Sequence, residues 1–586
     1  MAKTVFVEGE PGSGKSSLCK KIVHDWCETK QEGQTIYSRT STKGNEISSQ
    51  FEFVFYIILR EAKKECYVKK MILKNIIERI GIDKRSGEEL LGEILKSNTC
   101  LLVLDGLDEW QHPEGCHFDE RIPHVETSWE NCTIFITTRP YKLAEMKVSR
   151  FQIGKHVMVK GVSNPEKLVE KIVSSLNDLS GKGPSQDPEG TSSKPNHELC
   201  IREIQEKHLW HFSICPIVLA HIVWLWYKGK LSTDMKRSDL YGTLLKERWS
   251  ESCDKRNSSS RSKYKDIIST LSEIAFAKLF AEDENHTIVF EIDEEKNVTF
   301  ESQKTASLES GIISRTNVPG ESPQYYFLHK TVQEYLAALC ISKDILRCCL
   351  HIKITYQNQR RESGTSLSKV FHFLCGMNSK AAEELSKTMN ELFTDFCDRE
   401  GYSSMAVKIH QNEIIQGQRE LERGDNTGSE LCLQHIYIHN FDECVRGEKK
   451  ATALERYFKT NQSSVISLHI RQGNTKQALH LGKKSDKNVL NLRKFKGLKY
   501  LHVDDTSFKD IKGLNFNHLV ECSINFRTPQ QAPRLTSTFY KSDIKCLNRI
   551  KTLELSNLTD LNWLKEGSER EGIIDMRRLA NLEHLT

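Results

Sequence analysis

Apolar residues along this chain fall into two periods. Near the start, short stretches are nearly continuous and rich in β-branched or aromatic side chains: residues 4–7, 53–59, 99–104 and 133–137, with 157–159 as a fifth. A continuous apolar run of this length reads as a strand buried on both faces of a parallel sheet. After the first run, Leu18, Ile22, Val23 and Trp26 recur at helical spacing and make one buried stripe. Five strands with helices between them predict a doubly wound parallel sheet with right-handed crossovers.

Later in the chain the helical period returns. Val332, Leu336, Leu339 and Cys340 form a stripe that begins just after His329, and residues 363–445 show mixed helical patterning. The charges over 415–430 read as a solvated face. Residues 178–197, rich in Gly, Ser, Pro and Asp, predict a disordered insertion in a surface loop, and a serine-rich run over 251–262 marks another break. The C-terminal part repeats a pattern of L-x-x-L-x-L type. Corresponding positions Val465, Leu498, Leu519, Ile550 and Leu582 are spaced by 33, 21, 31 and 32 residues. That irregular period is near the one of leucine-rich repeats, each of which puts a short strand on a concave face where partners bind. Strands of some other β-rich domain are the alternative.

Composition narrows the class without naming a partner. At about 100–200 residues per domain, 586 residues predict three to five domains. With 38% hydrophobic and 28% charged residues the chain is globular, and a net charge of +5 supplies no global argument for nucleic acid or an anionic membrane. No apolar run is long enough to span a bilayer, and residues 5–7, followed at once by Glu8, are too short for the core of a signal peptide. The 18 cysteines are scattered without a framework, which predicts reduced thiols in a cytoplasmic protein. His112, Cys116 and His117 lack the second ligand pair that a metal site needs.

The candidate chemistry sits at the ends of the strands. GEPGSGKSS, residues 9–17, fits G-x-x-x-x-G-K-[ST] between a strand and a helix. Gly9, Gly12 and Gly14 let backbone N–H groups close on phosphates, and Pro11 stiffens the loop. Lys15 neutralises the β/γ-phosphates and Ser16 holds Mg²⁺, while Glu10, Ser13 and Ser17 belong to the same loop. The run 99–104 ends in Asp105-Gly106-Leu107-Asp108-Glu109. Asp105 is expected in the Mg²⁺ shell, and Asp108 or Glu109 is expected to orient or deprotonate a water. Arg139, after the run 133–137, is a cation placed to sense a γ-phosphate.

At these residues the chain resembles a known family. GEPGSGKSSLCKKIVHDW, LLVLDGLDE, FITTRP and VKGVSNPEKLVEKI are similar to the NACHT nucleotide-binding domain of NOD-like receptors, signal-transduction P-loop ATPases with C-terminal leucine-rich repeats. HFSICPIVLAHIVWLW (211–226) resembles the family's first helical domain, where a proline closes over the base, and Pro216 matches it. YYFLHKTVQEYLAALC (325–340) resembles the winged-helix segment, whose histidine reaches the β-phosphate of ADP, and His329 matches it. KVFHFLCGM (369–377) resembles the start of the second helical domain. The resemblance implies a NACHT domain over 1–162, helical domain 1 over 163–245, a winged-helix domain over 246–345, helical domain 2 over 346–455 and leucine-rich repeats over 456–586. It departs from the family in having no effector region ahead of the first strand, and it stops inside a repeat, which predicts a fragment or a receptor without its own signalling module.

By the same resemblance the protein is an ATP/ADP-operated switch, autoinhibited with ADP. With ATP it self-associates, in innate immune or cell-death signalling. A protein or microbial ligand is expected on the repeats, and the downstream adaptor is unnamed. At most it hydrolyses ATP slowly. Two other readings compete. A motor-type or processing ATPase needs a substrate channel, for which the sequence has no pore-loop signature. A scaffold with a purely structural nucleotide would not need an intact Lys15, Ser16 and Asp105.

Overall fold

The five early apolar runs pair side by side in the computed structural model. It describes residues 3–9, 12–32, 50–62, 65–110, 122–126, 128–139, 142, 154–179, 196–254, 264–281, 289–290, 298–316, 324–359, 364–423, 430–438, 462–471, 489–504, 510–512, 514, 518–525, 534–535, 552–556 and 584–585. Strands β1 (Lys3–Gly9), β2 (Phe53–Ile58), β3 (Cys100–Asp105), β4 (Cys132–Thr138) and β5 (Lys155–Val159) form one parallel sheet in the order β2-β3-β4-β1-β5. Leu59, expected in the second strand, opens a 3-10 turn instead.

Helices α1 (Lys15–Glu32), α2 (Val68–Ile72, continuing as a π-turn) and α3 (Lys84–Ser97) connect these strands. The two-residue alternation of each strand deals its side chains to opposite faces. Phe6, Phe55, Leu102, Leu104, Ile134 and Ile136 pack with Met71, Ile72, Leu91 and Leu95 from α2 and α3. Val54, Leu101, Val103 and Phe135 pack instead with Cys19 and Ile22 of α1. Helices therefore cover both faces, which is why β3 is buried at every position. Each such side chain contributes about 1.5–3 kcal/mol when fully buried.

The chain divides into two compact units, Met1–Tyr335 and Leu336–Thr586. After the sheet, the first unit continues through α4 (Pro165–Leu179), α5 (His197–Glu206), α6 (Pro216–Tyr227), α7 (Arg237–Asp254) and α8 (Tyr264–Leu279). Strand β6 (Val289–Phe290), helix α9 (Val298–Glu309) and strands β7 (Ile313–Thr316) and β8 (Gln324–Phe327) follow. These strands make a small antiparallel sheet, β6-β8-β7, ahead of α10 (Lys330–Lys343). The serine-rich break begins later than expected, because residues 251–254 are the last turn of α7. Its remainder, the core of the 178–197 insertion and the group His112, Cys116 and His117 lie outside the described residues.

The second unit opens with the later part of α10 and continues through α11 (Ile345–Gln359), α12 (Ser368–Met377), α13 (Ser379–Glu400) and α14 (Ser404–Glu422). Asn378 and Ser403 cap α13 and α14 by accepting from the amides of Ala381 and Ala406. The end of α14 is solvated on one side only. Ile415, Gly417, Gln418, Glu420 and Leu421 are buried, and Gln418 accepts from the Leu431 amide while Glu420 pairs with Arg423. Glu420 is the buried charge of this stretch, whereas Glu422, Arg423 and Glu430 are exposed as expected.

Beyond it lie β9 (His435–Ile438), β10 (Ser467–Arg471), β11 (Val489–Asn491), β12 (Tyr500–Asp504), β13 (Asp510–Lys512), β14 (Glu521–Asn525), β15 (Arg534–Leu535), β16 (Thr552–Ser556) and β17 (His584–Leu585). Strands β9, β10, β12, β14, β16 and β17 form one parallel sheet, and β11, β13 and β15 form another. Ile436, Leu468, Leu501, Cys522, Leu553 and Leu585 stand in register across the larger sheet. The repeated sequence positions lie three residues ahead of each such residue from Leu468 onward. No helix among the described residues is long and apolar enough to cross a membrane.

Candidate nucleotide site

A parallel sheet points the C-terminal ends of all its strands the same way, and ligands gather at that edge. There β1 turns into α1. Gly12 and Gly14 hold φ of 76° and 101°, values that disfavour any side chain. The first helical bond runs from the Leu18 amide to the Gly14 carbonyl, so the amides of residues 15–17 lie ahead of the helical ladder, at the helix end that favours an anion. Lys15 Nζ donates to the Gly9 carbonyl, which curls the ammonium back over the loop. Ser13 is buried, and its Oγ has no hydrogen-bond partner among the described residues. Ser16 and Ser17 are exposed, and Glu10 and Pro11 lie outside the described residues.

Asp105 closes β3 on the same edge. It accepts from Thr137 Oγ1 at 2.6 Å and from the Tyr56 hydroxyl at 3.2 Å, and Thr137 in turn accepts from the Gly106 amide. Burial, reinforced by the Asp105 charge, pushes the Cys19 thiol and the Tyr56 phenol well above their ordinary values, so both stay protonated. The next two acids are ion-paired. Asp108 Oδ2 meets Arg139 Nε at 2.7 Å, and Arg139 Nη1 meets Glu334 Oε1 at 3.3 Å. Glu109 meets Lys330 Nζ at 3.2 Å and Arg60 Nη1 at 3.8 Å. Burial alone would raise the Glu109 carboxyl, but Lys330, Arg60 and Arg139 outweigh it and hold it at about 2.

Pro216 occupies the first turn of α6, where a missing N–H costs nothing. Its neighbours touch the loop: Cys215 Sγ lies 3.6 Å from the Gly12 carbonyl, and a Cβ on Gly12 would come within 2.4 Å of Ile217. His329 precedes α10. Its Nδ1 accepts from the Thr331 amide at 3.2 Å and lies 2.8 Å from the Thr331 hydroxyl, which accepts from Tyr241. An amide can only donate, so Nδ1 carries no proton and the neutral ring keeps its proton on Nε2. Burial, with Arg139 adding to it against Glu334, pushes His329 below its ordinary value. The imidazole is thus a neutral donor beside the Arg139 cluster.

The donor set fits the phosphates of a nucleotide with a divalent cation. Left-handed glycines clear the cradle, a buried hydroxyl at Ser13 in the loop has no partner among the described residues, and an ammonium and a carboxylate stand at the loop and at the end of β3, two strands over. Residues 3–174 match the family model described as NACHT domain.

The chain carries a NACHT domain.

Curated proteins match the chain at modest identity. The chain is 30% identical over 166 residues to NACHT, LRR and PYD domains-containing protein 10 of Mus musculus, covering 28% of this chain and 21% of that protein. It is 21% identical over 450 residues to NLR family CARD domain-containing protein 4 of Rattus norvegicus, covering 75% of this chain and 38% of that protein. The chain thus spans well under half the length of these curated relatives. A Signal Transduction ATPase with Numerous Domains protein with a tetratricopeptide repeat sensor, from Pyrococcus horikoshii, aligns over 78% of this chain and 59% of its own, at 14% identity and a TM-score of 0.23. That score is too low to equate the two folds.

Around the NACHT domain's strand edge the structure brings together Lys15, Asp105, Asp108, Glu109, Arg139 and His329 and puts the start of α6 against Gly12. Sequence reasoning passed over Thr137 and Tyr56, which hold Asp105, and Lys330 and Glu334, which grip the acids and the arginine. Thr137 stood inside FITTRP, and Lys330 and Glu334 inside HKTVQEY. A count of charges flanking His329 would have flagged the last two.

Proposed function

We propose that this chain is an ATP/ADP-operated signalling switch of the NOD-like receptor type. Lys15 would hold the β/γ-phosphates, Ser16 and Asp105 the Mg²⁺, and Pro216 the base side. His329 would offer Nε2–H to the β-phosphate of ADP. The terminal phosphate of ATP supplies an extra charge to be recognised and a bond to be hydrolysed. Asp108 or Glu109 would orient or take the proton of a water for that slow step. The small antiparallel sheet with α8 to α10 would be the winged-helix domain, and the parallel strands after residue 456 the leucine-rich repeats that sense a protein or microbial ligand. Opening would let copies assemble in innate immune or cell-death signalling.

One observation carries this reading: α10, some 200 residues further along the sequence, holds the strand edge from both signs, Lys330 gripping Glu109 and Glu334 gripping Arg139. An engine that turns over freely has no use for such a brace, whereas a switch needs an element whose position the site can bias. Purified full-length chain is expected to retain ADP through chromatography and to hydrolyse ATP on the order of 10⁻³ s⁻¹, as unassisted switch GTPases do. Lys15→Ala should lose the retained nucleotide. Free exchange with turnover of many per second would overturn the reading.

A further inference from the structure

Six charged side chains meet at the strand edge, and they balance. They form two adjacent triads: Arg60 and Lys330 on Glu109, and Asp108 and Glu334 on Arg139. The side chains of Arg139, Asp108 and Glu334 are 9%, 5% and 3% exposed, so this part of the cluster exchanges little charge with water. Arg139 already holds two carboxylates, so another negative charge reaches it only by displacing one of them, because an uncompensated buried charge is strongly disfavoured.

The three acids are not held equally. Asp108 and Glu109 sit in the 3-10 turn that follows β3, fixed to the sheet through Gly106. Asp108 meets Arg139 at 2.7 Å and Glu109 has two cations. Glu334 belongs to a different element, α10. Its bond to Arg139 is longer, at 3.3 Å, and comes from one oxygen. The other oxygen, Oε2, is buried with no hydrogen-bond partner among the described residues. Glu334 is therefore the acid that costs least to displace.

Resting on the nucleotide-switch reading above, we propose that Glu334 is the residue by which this chain tells ADP from ATP. Its carboxylate takes the place at Arg139 that the terminal phosphate would claim. With ADP both carboxylates stay on Arg139 and α10 stays docked. With ATP the extra charge competes for Arg139, and Glu334 must leave. Lys330 lies one turn earlier on the same helix, so departure of Glu334 also pulls on the Lys330–Glu109 pair. The discrimination is a coupling between nucleotide charge and helix position.

The test uses full-length protein with Mg²⁺ and fluorescently labelled ADP and a non-hydrolysable ATP analogue, read as the ratio of their dissociation constants. Glu334→Gln keeps the shape and removes the charge. It should favour the ATP analogue over ADP by about tenfold relative to the unsubstituted chain, within the usual range of allosteric coupling. Arg139→Gln should reduce the preference for ATP. The double substitution should match Arg139→Gln alone, because no arginine remains to be released. If Glu334→Gln does not fold, Glu334→Asp withdraws the carboxylate by one methylene and should move the ratio in the same direction by less. An unchanged ratio in either variant overturns the proposal, as does additivity in the double variant. If Lys15→Ala leaves the binding of both nucleotides intact, the switch reading itself fails; if it abolishes binding while the ratio stays fixed in the Glu334 variants, only the role of Glu334 does.

Discussion

Gly161, just past β5, adopts φ of +103°, and a Cβ there would stand 2.0 Å from the Ile214 carbonyl oxygen. That carbonyl already accepts from the Val162 amide at 3.0 Å, so backbone meets backbone and neither can step aside. Gly14 has nearly the same φ, +101°, but a Cβ there would find no atom within 4 Å. Alanine at Gly14 should cost only left-handed strain, about 1–2 kcal/mol. Gly161→Ala should cost about 3 kcal/mol or more, because the clash adds to the strain. Urea midpoints of the two variants measure the difference, and equal costs would show that the approach of Ile214 is not tight. At this scale the legible residues were those inside a contiguous pattern: Lys15, Asp105, Arg139 and His329. Glu334 and Thr137 stand in the same stretches of sequence. Their tasks were hidden because each depends on what lies opposite, 195 residues away for Glu334 and 32 for Thr137.

Elements were legible wherever burial was one-dimensional. β3 is apolar throughout because helices press on both faces, and a continuous run announces that. The C-terminal strands were readable for a related reason: a repeated spacing puts equivalent side chains in register. Docking between elements was not readable, and Asn390 on α13 shows why. Its Nδ2 donates to the Ser386 and Cys432 carbonyls, and its Oδ1 accepts from the Gln434 amide and lies 3.2 Å from His410 Nε2. One buried amide thus fastens α13 to α14 and to the segment entering β9. Asn390→Ala leaves several buried groups unsatisfied and should destabilise the second unit by about 2–4 kcal/mol. A shift below about 1 kcal/mol in urea unfolding would mean that water replaces the amide. In sequence the same asparagine is one polar residue in a mixed helix.

Across the whole chain, buried histidines make stability depend on pH. Burial pushes His221 in the first unit and His435 in the second down to about 3, and it pushes His410 down as well. His435 stays neutral between the Ser467 and Thr394 hydroxyls. Unfolded histidine takes up its proton near 6.5, so between about 6.5 and 3 the unfolded chain binds more protons than the folded one. The contribution of these histidines is full above about pH 6.5 and is lost as the pH falls toward 3. The thermal midpoint should therefore drop steadily from about pH 7 to about pH 4.5, and His435→Asn should shallow the drop. A midpoint that held constant or rose on acidification would sink this account. The sequence by itself determined the phosphate loop, the acid-ended strand, the two-faced sheet and the repeating strands, because each depends on neighbours a few residues apart or on a fixed period. Only the tertiary structure decided which acid meets which cation, which histidine nitrogen keeps its proton and which polar residues are buried. Those depend on side chains that chain folding brings together from far apart, and no local pattern records the pairing.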